Sequence, residues 1–216
     1  MKEINACIFD LDGVLVDTAV YHYKAWRRLA NELGFDFTEE ENEELKGVNR
    51  LKSLELILGW GGVQKTSEEI ELLAEKKNEW YLEMIASMQP EELLPGSREF
   101  LEELKAEGIK IALGSASKNA KIILDKTNIS HLFDAIVDGN MVKASKPDPE
   151  VFLLGAKLLN MDPKECVVFE DAISGVEAAI AGGMKVIGVG EKEVLEKADV
   201  VISSLAEMTL DKINSL

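Results

Sequence analysis

The sequence predicts an α/β fold in which a parallel-sheet core is interrupted by an all-helical cap domain. Two observations lead to this prediction. A short apolar run, Ala6–Phe9, ends at Asp10 and has the length and composition of a buried parallel strand. After Pro95 the chain alternates between strand-like and helix-like patterns, whereas the stretch before it shows only helical periodicity. We therefore expect a core of residues 1–16 and 90–216 and a cap of residues 17–89.

The expected cap contains several helices with recognisable ends. Gly34 follows the first helical pattern, at the place where a glycine commonly ends a helix. Thr38 and Glu41 have the spacing of a capping box, and Thr66 and Glu69 repeat it before a further helix. The apolar stripe of the first helix consists of Val20, Tyr23, Trp26, Ala30 and Leu33.

The second part of the core shows strand and helix patterns in alternation. Strands are expected at 109–113, 133–137, 167–169, 185–189 and 200–202, and helices at 97–107, 118–126, 173–181 and the C-terminus. Asp148 and Pro149 have the residue types preferred at the N-cap and first position of one more helix. Because repeated strand–helix units place helices on both faces of a parallel sheet, we expect a Rossmann-like core.

The composition limits the classes of partner. The chain has 216 residues, 40 of them acidic and 24 basic, which gives a net charge of -16. Nucleic acid and anionic membranes both require a positive surface, so neither is expected as a partner. A small phosphorylated substrate is compatible with this charge, because a few lysines and arginines can reverse the potential inside a cleft. Neither a membrane span nor a signal peptide is recognisable, so we expect a cytoplasmic protein, with a monomer as the default state.

The chain has two cysteines, Cys7 and Cys166, and both lie within apolar strand-like runs. Cysteine is among the residue types that are most often buried, and these runs are typical of strand interiors. We therefore expect two buried free thiols rather than a disulfide or a metal pair.

Polar side chains follow four of the expected strands, at the points where those strands end. Because ligands bind at the carboxyl ends of the strands in open α/β sheets, these side chains are candidates for one site. Each has an ordinary explanation by itself, since Asp-x-Asp pairs are usually surface turns and single lysines are usually solvated. Unrelated surface residues would not be expected to follow four strands at the same edge of the sheet, so their shared position favours a single site. The residues are Asp10 and Asp12, Ser115, Lys146, and Glu170 with Asp171.

These residue types are suited to phosphoryl transfer. Asp10 would act as a carboxylate nucleophile and form a covalent aspartyl-phosphate, while Asp12 would act as general acid and base. Lys146 and the Ser115 hydroxyl would bind the remaining phosphoryl charge. Magnesium prefers carboxylate oxygens and water, and it would neutralise charge between nucleophile and phosphate. The candidate magnesium ligands are Asp10, Asp12, Glu170 and Asp171.

The segment from Phe9 to Thr18, with the sequence FDLDGVLVDT, resembles the first motif of the haloacid dehalogenase superfamily of phosphotransferases. Ser115, Lys146 and the pair Glu170–Asp171 fall where the other three motifs of that superfamily belong. Members that cleave carbon–halogen or carbon–phosphorus bonds typically lack an acid at the position of Asp12. The resemblance therefore implies phosphatase or phosphomutase chemistry with Mg²⁺.

Within that superfamily the chain resembles the β-phosphoglucomutase family. The matching segments are Asp17–Thr18, Tyr21–His22, Ala25–Trp26, Leu45–Val48 with Arg50, Ala74–Asn78, Ala116–Asn119 and Ala144–Pro147. In the segment after the second core strand, the resemblance implies that Ser117, Lys118 and Asn119 bind the distal phosphate together with Arg50, with Ala116 beside them.

The resemblance also implies roles for residues of the cap. Lys77, Gly47 and Val48 would face the sugar, and His22 would help to place the substrate and Asp12. Thr18 would lie at the hinge. The remaining substrate-binding candidates are Trp26 and Lys46.

Ordinary explanations exist for most of these cap residues. A histidine on an amphipathic helix, such as His22, is usually structural, and Trp26 lies on an apolar stripe that is typical of core packing. Lys46 and Lys77 would ordinarily be solvated. Arg50, next to a glycine-containing turn, fits a structural and a functional role equally well.

The resemblance implies a phosphomutase that interconverts β-glucose 1-phosphate and glucose 6-phosphate. Its intermediate, β-glucose 1,6-bisphosphate, would also be the phosphoryl primer. Such an enzyme needs a second cationic pocket for the second phosphate and must keep water from phosphorylated Asp10. One alternative is a capped sugar-phosphate phosphatase. Another is a non-enzymatic binding protein, but such proteins usually lack a nucleophile or a metal ligand, and this chain has all of the expected ones.

Overall fold

The computed structural model describes residues 4–45 and 47–216. The chain forms two compact units, one of residues Met1–Asp17 and Gln89–Leu216 and the other of Thr18–Met88. These bounds lie within one residue of the core and cap limits that the sequence suggests.

The core unit is built on a six-stranded sheet with the strand order β3-β2-β1-β4-β5-β6. Every neighbouring pair of strands is parallel. This is the order of a doubly wound Rossmann-type sheet, so the predicted fold class is confirmed. The strands are β1 (Ala6–Phe9), β2 (Lys110–Gly114), β3 (Ala135–Val137), β4 (Cys166–Glu170), β5 (Lys185–Val189) and β6 (Val200–Ile202).

Two different layers of side chains cover the faces of this sheet. On one face, Ile8 and Val168 pack with Phe152 and Val176 of the neighbouring helices in an apolar cluster. Side chains alternate between the faces along a strand, so Phe9 and its neighbours point to the other face. The core helices are α5 (Ser97–Ala106), α6 (Ala120–Lys126), α7 (Glu150–Leu159), α8 (Ile173–Ala181) and α9 (Leu210–Asn214).

The helical unit contains four helices in its described residues. Trp26, Leu54 and Ile57 are among the side chains of one buried apolar cluster. Both predicted capping boxes are present, at Thr38 and at Thr66. The predicted apolar stripe is only partly right, since Val20 is 47% exposed. The helices are α1 (Ala19–Glu32), α2 (Glu39–Glu43), α3 (Arg50–Trp60) and α4 (Ser67–Ile85).

Two predicted helix starts are too early. Helix α6 begins at Ala120 rather than at residue 118, because the hydroxyls of Ser115 and Ser117 accept backbone N–H bonds and keep the preceding segment in a loop. Helix α7 begins at Glu150, one residue after Pro149, although the Asp148 carboxylate does accept a bond from its first backbone N–H.

The two cysteines are buried and free, as predicted. Cys166 is in register with Ala6 on the neighbouring strand and points to the same face of the sheet. Cys7 is the next residue along β1 and therefore points to the opposite face. Burial raises the pKa of both thiols, that of Cys166 to about 12, so both are inert.

Across residues 4–45 and 47–216, no helix combines the length and the apolar character that crossing a membrane would require.

The capping box of α4 provides a test of the helical unit. The Thr66 hydroxyl accepts a bond from the Glu69 N–H, and the Glu69 carboxylate accepts one from the Thr66 N–H at 2.9 Å. Thr66→Ala is expected to lower the free energy of unfolding by about 1 kcal/mol, because one N–H of the first turn loses its partner. Hydrogen exchange of the first turn of α4 measures the effect. Thr66→Ser retains the hydroxyl and is the control, and equal protection in both variants would contradict the assignment.

Candidate active site

The candidate site of the core unit is centred on one buried lysine. Lys146 Nζ donates to Asp10 Oδ1 at 2.5 Å and to Glu170 Oε1 at 2.6 Å. The side chains of Lys146 and Glu170 are each 1% exposed and that of Asp10 is 10% exposed. The ammonium group also lies 4.7 Å from the centre of the Phe152 ring. The structure therefore brings together three residues that the sequence places far apart along the chain.

Strand register positions the two carboxylates. Phe9 and Phe169 are register partners on β1 and β4, and each immediately precedes one of the acidic residues. Their rings stack at 4.5 Å between centroids, and Phe100 packs against both rings edge-on. The Asp10 N–H also bonds to the Phe169 carbonyl at 3.0 Å. Asp10 and Glu170 consequently leave the sheet side by side.

The charges in this cluster perturb one another strongly. Burial raises the pKa of Asp10 well above its usual value, and the neighbouring carboxylates Glu170, Asp12 and Asp171 raise it further, against the lowering effect of Lys146. Burial by itself would lower the pKa of Lys146, but Asp10 and Glu170 outweigh it, so that this pKa is raised. The lysine therefore stays charged, and the site holds more negative than positive charge.

The second residue of each acidic pair lies close to this centre. Asp171 lies directly against Gly13, whose φ of +77° is in the region that favours glycine, and a side chain at that position would overlap the Asp171 carboxylate. The Gly13 N–H bonds to the Val16 carbonyl, which turns the loop that also contains half-buried Asp12.

The loop after β2 presents backbone and hydroxyl groups at the same edge of the sheet. Ser115 is 1% exposed, and its Oγ accepts the Ser117 N–H at 3.1 Å. The Ser117 Oγ accepts the Asn119 N–H at 3.2 Å, while Ala116 is half-buried and Lys118 is exposed. The two serine hydroxyls therefore fix the backbone conformation of this loop.

These residues fit a magnesium ion in donor type and charge. Burial is the main cause of the raised pKa of Asp10, but the carboxylates Glu170, Asp12 and Asp171 also raise it, and a divalent cation would neutralise part of their negative charge. The contact between Asp171 and Gly13 brings a second carboxylate close to the first motif. Within the described part of the chain, no three acidic, histidine or cysteine side chains already surround one point. Magnesium usually retains several water ligands, so a partial protein shell of Asp10, Glu170 and Asp171 is consistent with it.

In the helical unit, a second buried lysine is paired with a histidine. Lys77 is 2% exposed, and its Nζ lies 2.9 Å from His22 Nδ1 and 4.2 Å from the centre of the Trp26 ring. The His22 ring packs against Tyr81. The ordinary explanation of Lys77 as a solvated lysine is therefore wrong. Trp26 is 2% exposed and belongs to the apolar cluster of this unit, as core packing predicts.

The protonation of His22 is fixed by its surroundings. Burial lowers the pKa of His22 well below its usual value, and the nearby cations Lys77 and Arg50 lower it further. Since an ammonium group can only donate, Nδ1 of His22 accepts and the ring proton lies on Nε2. His22 is thus a neutral donor at Nε2.

The other cap candidates lie around the start of α3 and at the unit boundary. Arg50 is the first residue of α3, and partial burial lowers the pKa of its guanidinium. Gly47 has a φ of +75° and Val48 is half-buried. Thr18 is completely buried and is the first residue of the helical unit. Lys46 lies outside the described residues.

Two supports of the site were not found by sequence reasoning. The Glu150 carboxylate accepts the backbone N–H groups of Lys143 and Ala144 at 2.8 and 2.7 Å, and these bonds lower its pKa. It therefore anchors the loop that leads to Lys146. The Asn140 amide donates to the Lys118 carbonyl at 3.1 Å and supports the loop after β2. Neither residue belongs to a recognisable motif, because each acts on backbone groups of another segment.

Comparison with known proteins places this architecture in a family. A sequence profile described as haloacid dehalogenase-like hydrolase matches residues 4–183. The chain belongs to this family. The predicted superfamily is therefore confirmed.

Individual relatives of this haloacid dehalogenase-like protein indicate where it lies within the family. A Bacillus subtilis (strain 168) protein named β-phosphoglucomutase is 42% identical over 210 residues, covering 96% of this chain and 93% of the relative. The crystal structure of a β-phosphoglucomutase from Clostridium difficile aligns with a TM-score of 0.95 and 43% identity, over 98% of this chain and 96% of that one. A Thermotoga maritima protein named phosphorylated carbohydrates phosphatase is 35% identical over 185 residues, covering 84% and 83% of the two chains. The predicted resemblance to β-phosphoglucomutase is confirmed.

The neutral state of His22 predicts a pH dependence of stability. Below its usual pKa of 6.5 the unfolded chain takes up a proton at His22 and the folded chain does not. Stability is therefore lost as the pH falls below about 6.5, by up to about 1.4 kcal/mol per pH unit for one proton. The wild type should lose more thermal stability between pH 7 and pH 5 than His22→Gln. His131→Gln, at the exposed second histidine, is the control. Parallel losses in wild type and His22→Gln would contradict the assignment.

Proposed function

We propose that this protein is a phosphomutase that interconverts β-D-glucose 1-phosphate and D-glucose 6-phosphate through phosphorylated Asp10. The observation that supports this most directly is the buried Asp10–Lys146–Glu170 cluster at the carboxyl edge of the sheet. The identity of 42% to a protein named β-phosphoglucomutase, over 96% of the chain, supports the choice of substrate.

Asp10 is the nucleophile in this proposal. Its Oδ1 accepts from Lys146, which leaves the other carboxylate oxygen to attack phosphorus. Attack on the primer, β-glucose 1,6-bisphosphate, breaks the bond between phosphorus and a sugar oxygen and forms the aspartyl-phosphate, and the released sugar oxygen takes a proton from Asp12. Lys146 stays next to the Asp10 carboxyl group and stabilises the negative charge that moves onto the phosphoryl oxygens.

The phosphoryl group then passes to the substrate. The 6-hydroxyl of β-glucose 1-phosphate attacks the aspartyl-phosphate, Asp12 accepts the hydroxyl proton, and β-glucose 1,6-bisphosphate forms. In the opposite orientation, Asp10 takes the phosphoryl group from O1. Asp12 returns the proton to O1, and glucose 6-phosphate leaves with Asp10 phosphorylated again.

We further propose that Asp10, Asp12, Glu170 and Asp171 supply the protein oxygens that bind Mg²⁺. The ion would neutralise charge between the Asp10 carboxylate and the anionic phosphate. Lys146, which is itself held by Glu170, keeps the Asp10 carboxylate oriented.

The second phosphate of the bisphosphate requires cationic and hydrogen-bonding groups of its own. In the core unit, Ser117, Lys118 and Asn119 lie in the loop that begins at Ser115. In the helical unit, Arg50 is the proposed ligand, and its partly buried guanidinium is weakly hydrated and suited to bidentate phosphate binding.

A paired assay tests the proposed function. Protein with Mg²⁺ receives β-glucose 1-phosphate and a trace of β-glucose 1,6-bisphosphate, and glucose 6-phosphate and free phosphate are measured together. Formation of glucose 6-phosphate with little free phosphate is expected, and Asp10→Asn should abolish it because the amide cannot form the aspartyl-phosphate.

The alternative is a sugar-phosphate phosphatase, which the identity of 35% to a carbohydrate phosphatase favours. Free phosphate that keeps pace with substrate loss would establish this alternative. If neither glucose 6-phosphate nor free phosphate forms, but beryllofluoride binds in a manner that depends on Mg²⁺ and Asp10, the Asp10 chemistry is retained and glucose phosphates are excluded as substrates.

A further variant separates the mutase from the phosphatase. Arg50→Ala is expected to lower mutase kcat/KM at least tenfold, about 1.4 kcal/mol of transition-state stabilisation, because the non-reacting phosphate loses a charged partner. The ratio of free phosphate to glucose 6-phosphate should rise at the same time.

The matched control is Lys52→Ala. Lys52 lies in the same first turn of α3, but its side chain is 58% exposed and pairs with Glu55 at the surface. Full mutase turnover in Arg50→Ala, or an equal loss in Lys52→Ala, would contradict the role of Arg50.

A further inference from the structure

Gly175 lies in the first turn of α8, directly against the carboxyl group of Glu170. It is buried, and a Cβ built on it would overlap the Glu170 carboxyl group, with Cγ also only 2.5 Å away. No backbone atom is among the three nearest atoms to that Cβ. The space that a side chain at 175 would fill is therefore occupied by one carboxylate.

The backbone of Gly175 does not itself require glycine. It lies within the regular helix Ile173–Ala181 and is absent from the glycines with positive φ. Alanine is the better helix former at such a position. Gly155, within α7, shows the contrast, because a Cβ there would meet Ile8 and Ala112 at ordinary distances of 3.5 and 3.7 Å.

The Glu170 carboxylate cannot easily move away. Its Oε1 accepts from Lys146 at 2.6 Å and its Oε2 accepts the Ala172 N–H at 2.7 Å, and its side chain is 1% exposed. A methyl group at 175 would push the carboxylate off one or both partners. The bond to the Ala172 N–H lies within the turn that leads from β4 into α8. A shift of the Glu170 carboxylate would therefore change both its position and its orientation.

We propose that Gly175 is a positioning residue for the metal site: its missing side chain lets Glu170 approach the helix and present its carboxylate at the position that binds Mg²⁺. The inference rests on the proposed role of Glu170 as a metal ligand. It adds a residue outside the set of candidate ligands, and it assigns the glycine a role in metal affinity rather than in folding alone.

The first test is Mg²⁺ binding by isothermal titration of the metal-free full-length protein, without substrate. Gly175→Ala is expected to weaken binding at least tenfold, a typical loss when a partner of a metal ligand is removed. Gly155→Ala is the matched control, because it makes the same change within a buried helix of the same unit and should bind Mg²⁺ like the wild type.

The second test is a double-mutant cycle in thermal stability. Gly175→Ala should lower Tm in the wild-type background, because the methyl group displaces a buried charged group. In the Glu170→Ala background the obstacle is gone, so the same change should be neutral or raise Tm by roughly 2–4 °C through better helix propensity. Gly155→Ala should have the same effect in both backgrounds.

The outcomes separate the inference from the proposed function. Absence of Mg²⁺ binding in the wild type would overturn the metal assignment itself. Mg²⁺ binding by the wild type with unchanged affinity in Gly175→Ala would overturn the role of Gly175 alone. If Gly175→Ala unfolds the protein, folding of the Glu170→Ala, Gly175→Ala double variant would support the inference. Failure of that double variant to fold would overturn it.

Discussion

The pairing of one ammonium group with two carboxylates at the end of β1 and β4 is the interaction on which the rest of the core depends. Burying any of these charges alone would cost several kcal/mol. Removing one partner of a buried ion pair destabilises a protein strongly because it leaves an unpaired charge, whereas replacing the whole pair by apolar residues is often tolerated. Lys146 is buried between Asp10 and Glu170, which follow register-paired phenylalanines. The register of the two strands places the two carboxylates side by side, and the charge of Lys146 offsets the repulsion between them.

The same arrangement fits the phosphoryl transfer proposed for Asp10. Asp10 is held between opposing influences, since burial and three further carboxylates disfavour its charged form while Lys146 favours it. A carboxylate in this balance responds strongly to any cation that arrives next to it. Main-chain groups and glycines support the acidic side chains. The Ala172 N–H donates to Glu170, and the missing side chains of Gly13 and Gly175 leave space for Asp171 and Glu170 respectively.

The helical unit also contains a buried lysine, which lies among aromatic rings rather than at the edge of a sheet. Lys77 is buried, and its ammonium group contacts the Trp26 and Tyr81 rings and a ring nitrogen of His22. Burial lowers the pKa of His22, and the nearby cations Lys77 and Arg50 lower it further, so the ring is neutral. Attraction between the ammonium group and the ring faces offsets part of the cost of burying this lysine.

The sequence by itself determined the order and type of the elements and indicated the candidate residues. Strand and helix periodicity, two capping boxes and the order of polar residues after the strands are local properties, so the fold class, the boundaries of α8, β5 and β6, and the candidate residues Asp10, Ser115, Lys146 and Glu170 were all predictable. Only the tertiary structure decided which side chains neutralise one another. The bond between Lys146 and Asp10 spans 136 positions of the chain. The burial of Lys77, the anchoring by Glu150 and the fit of Glu170 against Gly175 depend on packing between distant segments, for which residue type and spacing contain no signal.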